Sequence, residues 1–220
     1  MRRDIVTSVI GIVVLTILLG LVYPLVITGV SQVAFPGNAN GQQIHLDGKL
    51  VGSKLIGQSF KSPVIGKNGK PKEEEEELVT EADPRYFQSR PSATEGGAYN
   101  AAASTFSNRG PNSTITEEAN AENIKEYLEL NRPYDRGLTT AKIPVDAINT
   151  SGSNLDPEIS QANAWIQAHR VAAVRRLPLA TVNGLIAKYT SGRGLGFSGE
   201  EGVNVLELNL ALDRLTGGKG

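Results

Sequence analysis

The feature that most constrains this chain is a long uncharged stretch near its N-terminus. No Asp, Glu, Lys, Arg or His occurs between Ile5 and Ile44. The apolar part, from Ile5 to about Val30, would be roughly 39 Å long as a helix at about 1.5 Å per residue. A bilayer's hydrocarbon core is about 30 Å thick, and in lipid only a helix pairs all of its own backbone groups. Residues 1–35 are therefore predicted to be a short N-terminus and one transmembrane anchor.

Two other interpretations of this stretch are weaker. A cleaved signal peptide has a shorter apolar region, of about 7–15 residues, followed by a small-residue cleavage site that is not evident here. A buried core helix would need a polar side facing solvent. Glycines in the anchor allow close approach of a partner's helix, although glycine is also common in membrane helices generally. The candidates are Gly11, Gly20 and Gly29.

The charges that flank the anchor predict its orientation. Arg2 and Arg3 precede it, and the next basic residue after it, apart from His45, is Lys49. The positive-inside rule then keeps the N-terminus in the cytoplasm and places residues 36–220 outside a plasma membrane or bacterial inner membrane. That outer part has 20 basic residues (22 less Arg2 and Arg3) against 22 acidic ones (23 less Asp4). A balance so near neutrality argues against a nucleic-acid partner.

Local patterns in residues 36–220 predict one domain of an α+β fold. Short strands come first, and the Asp47-Gly48 pair between apolar runs indicates a β-hairpin. An acidic insertion at about 66–82, with five successive glutamates at 73–77, is expected to be flexible and solvated. The last third of the chain is expected to be mainly helical. The predicted elements are a strand at 86–88, a helix at 117–130 capped by Thr116, an edge strand at 143–148, a helix at 157–177 capped by Asp156, a helix at 179–190 ending in the glycine-rich 192–196 segment, and a helix starting at Asn204.

No set of catalytic or metal-binding residues stands out. The two histidines, His45 and His169, have no ligand spacing between them. The 192–196 segment lacks the Gly-Lys-Ser/Thr of a phosphate-binding loop. The hydroxyls of Ser151 and Ser153 are not surrounded by a nucleophile-elbow pattern, and a turn accounts for them. The chain is therefore predicted to have no enzymatic activity, metal or cofactor of its own.

Six sequence motifs follow one another along nearly the whole chain. They are V-Y-P-L at 22–25, G-S-K-L-I-G-Q-S-F at 52–60, Y-F-Q-S-R-P-S-A at 86–93, T-S-G-S-N-L-D at 150–156, R-V-A at 170–172 and N-V-L-E-L-N-L-A-L-D at 204–213. In these motifs and their order the chain resembles the C subunit of the Kdp-type potassium-transporting ATPases. The insertion at about 66–82 is the departure from the family pattern.

This resemblance implies an accessory subunit of a membrane complex for potassium uptake. Its partners would be a channel-like potassium-translocating subunit and a P-type ATPase subunit, which handle the potassium ions and ATP. An alternative role implied by the resemblance is a catalytic chaperone that raises the ATP affinity of the hydrolysing subunit through direct nucleotide contact. The candidate contacts are then Ser151, Gly152, Ser153 and Gln167. A membrane-anchored hydrolase is the least supported interpretation, because no catalytic set is present.

Overall fold

The computed structural model describes residues 1–66, 69–74, 77–104, 108–110 and 112–217. It divides the chain into two compact units, Met1–Ser53 and Lys54–Gly220. The β-hairpin after the anchor thus belongs to the first unit. The architecture is α+β, with one N-terminal apolar helix, short strand pairs and a helical C-terminal part, as the sequence predicts.

The first unit is dominated by a helical stretch of 33 residues, Arg2–Ala34. It consists of α1 (Arg2–Ile17), a π-helical turn (Leu18–Val22) and α2 (Tyr23–Ala34), and none of its residues is buried. Pro24 lies in the first turn of α2, where its missing N–H and its ring disturb the preceding turn, and the wider π turn accommodates them. The stretch is long and apolar enough to cross a bilayer.

A short helix and a hairpin complete the first unit. α3 (Pro36–Ala39) precedes β1 (Gln43–Leu46) and β2 (Lys49–Ser53), which pair antiparallel. Asp47 and Gly48 connect the strands with φ angles of 49° and 76°. Positive φ at both central residues is what a type I′ turn requires, so the hairpin prediction is confirmed.

The acidic insertion has more regular structure than its composition suggests. β3 (Lys61–Pro63), β4 (Glu73–Glu74), β5 (Glu77–Leu78) and β6 (Thr80–Ala82) form two antiparallel pairs, β3 with β6 and β4 with β5. The backbones of β4 and β5 form hydrogen bonds with each other, and the side chains of Glu73 and Glu74 remain exposed to water. Solvation of these two glutamates is confirmed, whereas flexibility of the insertion stays a prediction.

The rest of the second unit packs helices around a small sheet. In chain order its elements are α4 (Thr114–Asn131), β7 (Glu158–Ile159), α5 (Gln161–Arg175), α6 (Leu179–Lys188), β8 (Thr190–Ser191), β9 (Gly202–Asn204) and α7 (Val205–Leu215). The sheet is antiparallel in the order β7-β9-β8. Buried aliphatic residues of α5, α6 and α7 form the main core, together with Phe87 from an irregular segment.

Several predicted boundaries were wrong at helix starts. α5 begins at Gln161, not at Pro157, because Glu158 and Ile159 pair with β9 and leave Ser160 as the N-cap. The Ser160 hydroxyl accepts a hydrogen bond from the Asn163 N–H at 3.1 Å. α4 likewise begins at Thr114, so Thr116 lies inside the helix rather than capping it.

Two predicted strands are absent from the described residues, and one cap was misassigned. Residues 86–88 form no strand, since their backbone groups pair with side chains, as described below. Residues 143–148 contain instead a 3₁₀ turn, Val145–Ala147, and a second 3₁₀ turn, Thr140–Lys142, precedes them. The 192–196 glycines belong to the loop between β8 and β9, because α6 already ends at Lys188. α7 is as predicted, with the Asn204 side chain accepting from the Glu207 N–H at 3.0 Å.

Candidate functional site

The anchor glycines do not form one continuous stripe. Successive members of the set Gly11, Gly20 and Gly29 are nine residues apart, about two and a half turns of a regular α-helix, so neighbours lie on opposite sides. The π turn at Leu18–Val22 changes the register between them further. Space beside Gly11 and Gly29 is open to 4 Å, and Gly20 meets only a Thr16 methyl at 4.0 Å. Each glycine is therefore a separate candidate for close helix approach.

In the second unit, two side-chain amides hold an extended segment against the helices. The Asn209 Oδ1 of α7 accepts from the Phe87 N–H at 2.9 Å, and its Nδ2 donates to the Phe87 carbonyl at 2.9 Å. Gln167 of α5 does the same for Gln88, accepting from its N–H at 2.7 Å and donating to its carbonyl at 3.0 Å. A primary amide offers one donor edge and one acceptor edge, like a peptide group. We call this arrangement the amide clamp, formed by Asn209 and Gln167 on the backbone of 87–88.

A buried arginine extends the amide clamp toward α4. Arg170 is 0% exposed. Its Nε donates to the Pro84 carbonyl at 3.1 Å, and its Nη2 donates to the Tyr86 carbonyl at 2.7 Å and to Gln167 Oε1 at 3.0 Å. Its Nη1 donates to Asn131 Oδ1. Burial lowers the pKa of Arg170 to about 10, and the guanidinium still stays charged at neutral pH.

A second arginine fixes the same segment from the C-terminal end of α5. Arg175 Nε donates to the Arg85 carbonyl at 2.7 Å, and its Nη2 pairs with Asp213 Oδ1 at 2.8 Å. Its guanidinium also lies 4.7 Å from the centre of the Tyr86 ring, within the range of a cation–π contact. The backbone of 84–88 is thus held by four side chains from two helices.

A small cavity with both polar and apolar groups in its wall lies beside the amide clamp. Its volume is about 230 Å³, and Arg90, Tyr127, Asn163 and Gln167 contribute to its wall. Pockets for drug-sized ligands usually have about 300–1,000 Å³. The cavity therefore offers room for water or a small polar molecule.

Gln167 is the one nucleotide candidate that the structure places at this cavity, and its hydrogen-bonding capacity is already used. Its Oε1 accepts from Gln88 and Arg170, and its Nε2 donates to Gln88 and, at 2.9 Å, to Asn163 Oδ1. A glutamine side chain has two donors and two acceptor positions. Contact with a nucleotide would have to break one of these buried bonds.

The other three candidates lie in a separate turn. The Ser153 hydroxyl donates to Asp156 Oδ1 at 3.2 Å and accepts from the Leu155 N–H at 3.1 Å. Ser151 is buried, and Gly152 has open space beside it. None of the three is among the described residues that line the cavity of Gln167. The structure therefore does not bring the four candidates together.

Sequence reasoning missed most of the buried polar residues. The signal was present on α5, where Asn163, Gln167 and Arg170 occupy positions i, i+4 and i+7 among buried alanines and one buried valine. Polar residues at this spacing form one stripe on a helix. Asn209 and Asn131 gave no comparable signal. Among the residues described, no group of three or more His, Cys, Asp or Glu could hold a metal ion.

Comparisons with known proteins match this chain along almost its entire length. The family model "KdpC: K+-transporting ATPase, c chain" matches residues 5–214. A protein of Methylococcus capsulatus is 46% identical over 204 residues, which are 93% of this chain and 94% of that protein. One from Mycobacterium tuberculosis is 43% identical over 216 residues, 98% and 100% of the two chains. Both are named "Potassium-transporting ATPase KdpC subunit". The chain belongs to the KdpC family of potassium-transporting ATPase subunits.

Proposed function

We propose that this subunit of a potassium-transporting ATPase complex is a non-catalytic accessory component that stabilises the assembly. Its partners are a channel-like potassium-translocating subunit and a P-type ATPase subunit. The observation that carries the proposal is the apolar helix Arg2–Ala34, none of whose residues is buried within the chain. Such a surface must be covered by lipid and by partner helices, and small residues allow those helices to approach.

The amide clamp favours this role over direct contact with ATP. All four hydrogen-bonding positions of the Gln167 side chain are used within the protein. Ser151 and Ser153 lie in a separate turn. The subunit would then change the ATP affinity of the hydrolysing subunit by allosteric coupling through the anchor and the partner subunits. ATP and potassium ions are bound by the partners and not by this chain.

The orientation is part of the proposal. Arg2 and Arg3 before the helix support a cytoplasmic N-terminus and an extracytoplasmic domain. A Glu-specific protease added to intact spheroplasts should cut the 73–77 run, and in inverted vesicles that run should be protected. Cleavage only in inverted vesicles would show that the domain faces the cytoplasm, where direct contact with a nucleotide is sterically possible.

Calorimetry tests the absence of direct ATP binding. The purified full chain in detergent should give no saturable heat with micromolar ATP, because no residue pattern for phosphate binding is present. Ser153→Ala serves as a control that leaves the amide clamp untouched. A saturable isotherm for the wild type that Ser153→Ala abolishes would contradict the accessory role and support the catalytic-chaperone alternative.

A further inference from the structure

The π-helical turn in the anchor leaves one backbone carbonyl, that of Leu19, without a donor from its own helix. In this turn, Leu18–Val22, the Tyr23 N–H donates to the Leu18 carbonyl, five residues back. In a regular α-helix the same N–H would donate to the Leu19 carbonyl, four residues back. The next residue that could serve Leu19 is Pro24, which has no N–H. Both of the helical donors that lie within reach of this carbonyl are therefore lost to it.

No side chain in the first unit takes the place of the missing donor. The side chains that donate to backbone carbonyls there are those of Asn40 and Ser53, which bond to Pro36 and Gly41. Both lie beyond the end of the anchor helix. The Leu19 carbonyl thus keeps its capacity to accept a hydrogen bond from another molecule.

This carbonyl lies near the middle of the apolar stretch. At about 1.5 Å per residue, Leu19 is about 21 Å along the helix from Ile5 and about 17 Å from Val30. The hydrocarbon core holds no bulk water that could donate a hydrogen bond, so a free backbone group there is unfavourable until another donor meets it. Lipid headgroups lie at the surfaces of a core about 30 Å thick, and acyl chains have no donors. Lipid therefore does not supply the missing hydrogen bond.

The residue after Leu19 leaves room for a donor to approach. Gly20 has no side chain, and a Cβ atom built on it would meet only a Thr16 methyl, at 4.0 Å. None of the residues of the π turn is buried within the chain. Small residues let a second membrane helix come close to the backbone of the first. The free carbonyl and the uncrowded glycine thus occur at the same point of the anchor.

We propose that the Leu19 carbonyl accepts a hydrogen bond from a polar side chain on a transmembrane helix of another subunit of the same potassium-transporting ATPase. The donor is a Ser, Thr, Asn or Gln, since these are the side chains that form hydrogen bonds between membrane helices. The inference rests on the accessory role proposed above, in which partner helices cover the anchor, and it adds the point of contact and its chemistry. It also gives a function to Pro24 of the V-Y-P-L motif at 22–25, because this proline keeps the carbonyl free.

Two changes to the anchor remove this hydrogen bond by different routes. Pro24→Ala restores an N–H at position 24, so a regular α-helix can satisfy its own carbonyls in this turn. Gly20→glycolic acid replaces the peptide bond after Leu19 by an ester, whose carbonyl is a weaker acceptor, and leaves Pro24 in place. In the detergent-solubilised complex, either change should speed exchange of the bound chain for labelled free chain about threefold or more, as expected for one hydrogen bond between membrane helices.

Matched controls separate the carbonyl from the shape of the anchor. Gly29→glycolic acid places the same ester in α2, outside the π turn, and Pro36→Ala removes a proline beyond the end of the anchor helix. Neither control should change the exchange rate. Unchanged exchange for Gly20→glycolic acid would overturn the proposal. Faster exchange for Pro24→Ala alone would also overturn it, because the bend of the anchor, and not the Leu19 carbonyl, would then be what the partner recognises.

Cross-linking identifies the donor. Tyr23 lies one turn after Leu19 and is 59% exposed, so a photoreactive phenylalanine analogue at position 23 should form an adduct with a transmembrane helix of another subunit. Alanine in place of the polar residue nearest the adduct should speed exchange, with no further effect in combination with Gly20→glycolic acid. Adducts with lipid alone or with a second copy of this chain would overturn the proposal. Retention of the wild-type chain in the complex, measured in the same preparation, tests the accessory role separately.

Discussion

Replacing Asn209 by leucine should be one of the most damaging single changes in the second unit. Asn209 is 1% exposed and Phe87 is 0% exposed. Leucine is close to asparagine in size but has no polar atoms, so it fills the space while removing both hydrogen bonds to Phe87. Among the described contacts, neither the N–H nor the carbonyl of Phe87 has another hydrogen-bonding partner.

The size of the expected loss of stability follows from the two backbone groups of Phe87 that the variant leaves without a hydrogen bond. A buried donor or acceptor left unsatisfied costs about 1–3 kcal/mol, so the pair should lower the free energy of unfolding by about 2–6 kcal/mol. The extra apolar burial of leucine offsets roughly 1 kcal/mol of this loss, by the usual value for one or two buried methyl groups. A net loss of about 1–5 kcal/mol is a large share of the roughly 5–15 kcal/mol that stabilises a typical domain.

Urea unfolding of the full chain in detergent measures this loss. The only tryptophan, Trp165, lies on α5 and reports on the second unit by fluorescence. With a slope of about 2 kcal/mol per molar urea, a loss of 4 kcal/mol moves the midpoint by about 2 M. Asn183→Leu on the exposed side of α6 is the matched control and should change stability by less than about 0.5 kcal/mol. Equal midpoints for the two variants would refute the role of Asn209 in the amide clamp.

Three further predictions address the anchor, the insertion and the loss of stability at alkaline pH. Gly20→Leu or Gly29→Leu should weaken copurification with the partner subunits, whereas Gly20→Ala and Gly29→Ala should not. Normal copurification of both leucine variants would show that the anchor only attaches the domain to the membrane. Deleting residues 69–77 should leave assembly and potassium uptake nearly intact, since Glu73 and Glu74 are exposed, and loss of the complex would identify a docking surface. Burial raises the pKa of the Tyr99 hydroxyl to about 12, against about 10 in an unfolded chain. The neutral Tyr99 hydroxyl therefore contributes its full share of stability below about pH 10, and this share is lost as the pH rises toward 12. The urea midpoint of the Tyr99→Phe variant should fall less between pH 10 and 12 than that of the wild type. An equal fall in the two proteins would contradict the raised pKa.

The elements that sequence predicts well are those whose signals are local. The anchor depends on the absence of charge over one continuous stretch, and the first hairpin depends on Asp47 and Gly48 at its turn. α7 begins where Asn204 and Glu207 indicate. In each case the residues that decide the structure are within a few positions of one another, so no tertiary contact is needed to identify the element.

The amide clamp could not be predicted because its partners are remote in sequence. Asn209 and Phe87 are separated by 122 residues, and Gln167 and Gln88 by 79. The 86–88 segment has strand-like composition, yet its backbone pairs with side chains rather than with a neighbouring strand. The start of α5 shows the same limit: Asp156 and Pro157 give a good local cap, but pairing of β7 with β9 overrides it.

The placement of polar and apolar groups bears directly on the role of the subunit. An active site needs polar groups that are held in place yet remain free to contact a substrate. Here the amides of Asn209 and Gln167 and the guanidinium of Arg170 are buried and committed to backbone or side-chain partners. The anchor, by contrast, presents apolar side chains of which none is buried within the chain, and Leu195 and Phe197 in the loop between β8 and β9 are exposed as well. A chain that uses its buried polar groups for its own fold and leaves apolar surface for other molecules is suited to assembly, and this arrangement favours an indirect effect on ATP hydrolysis.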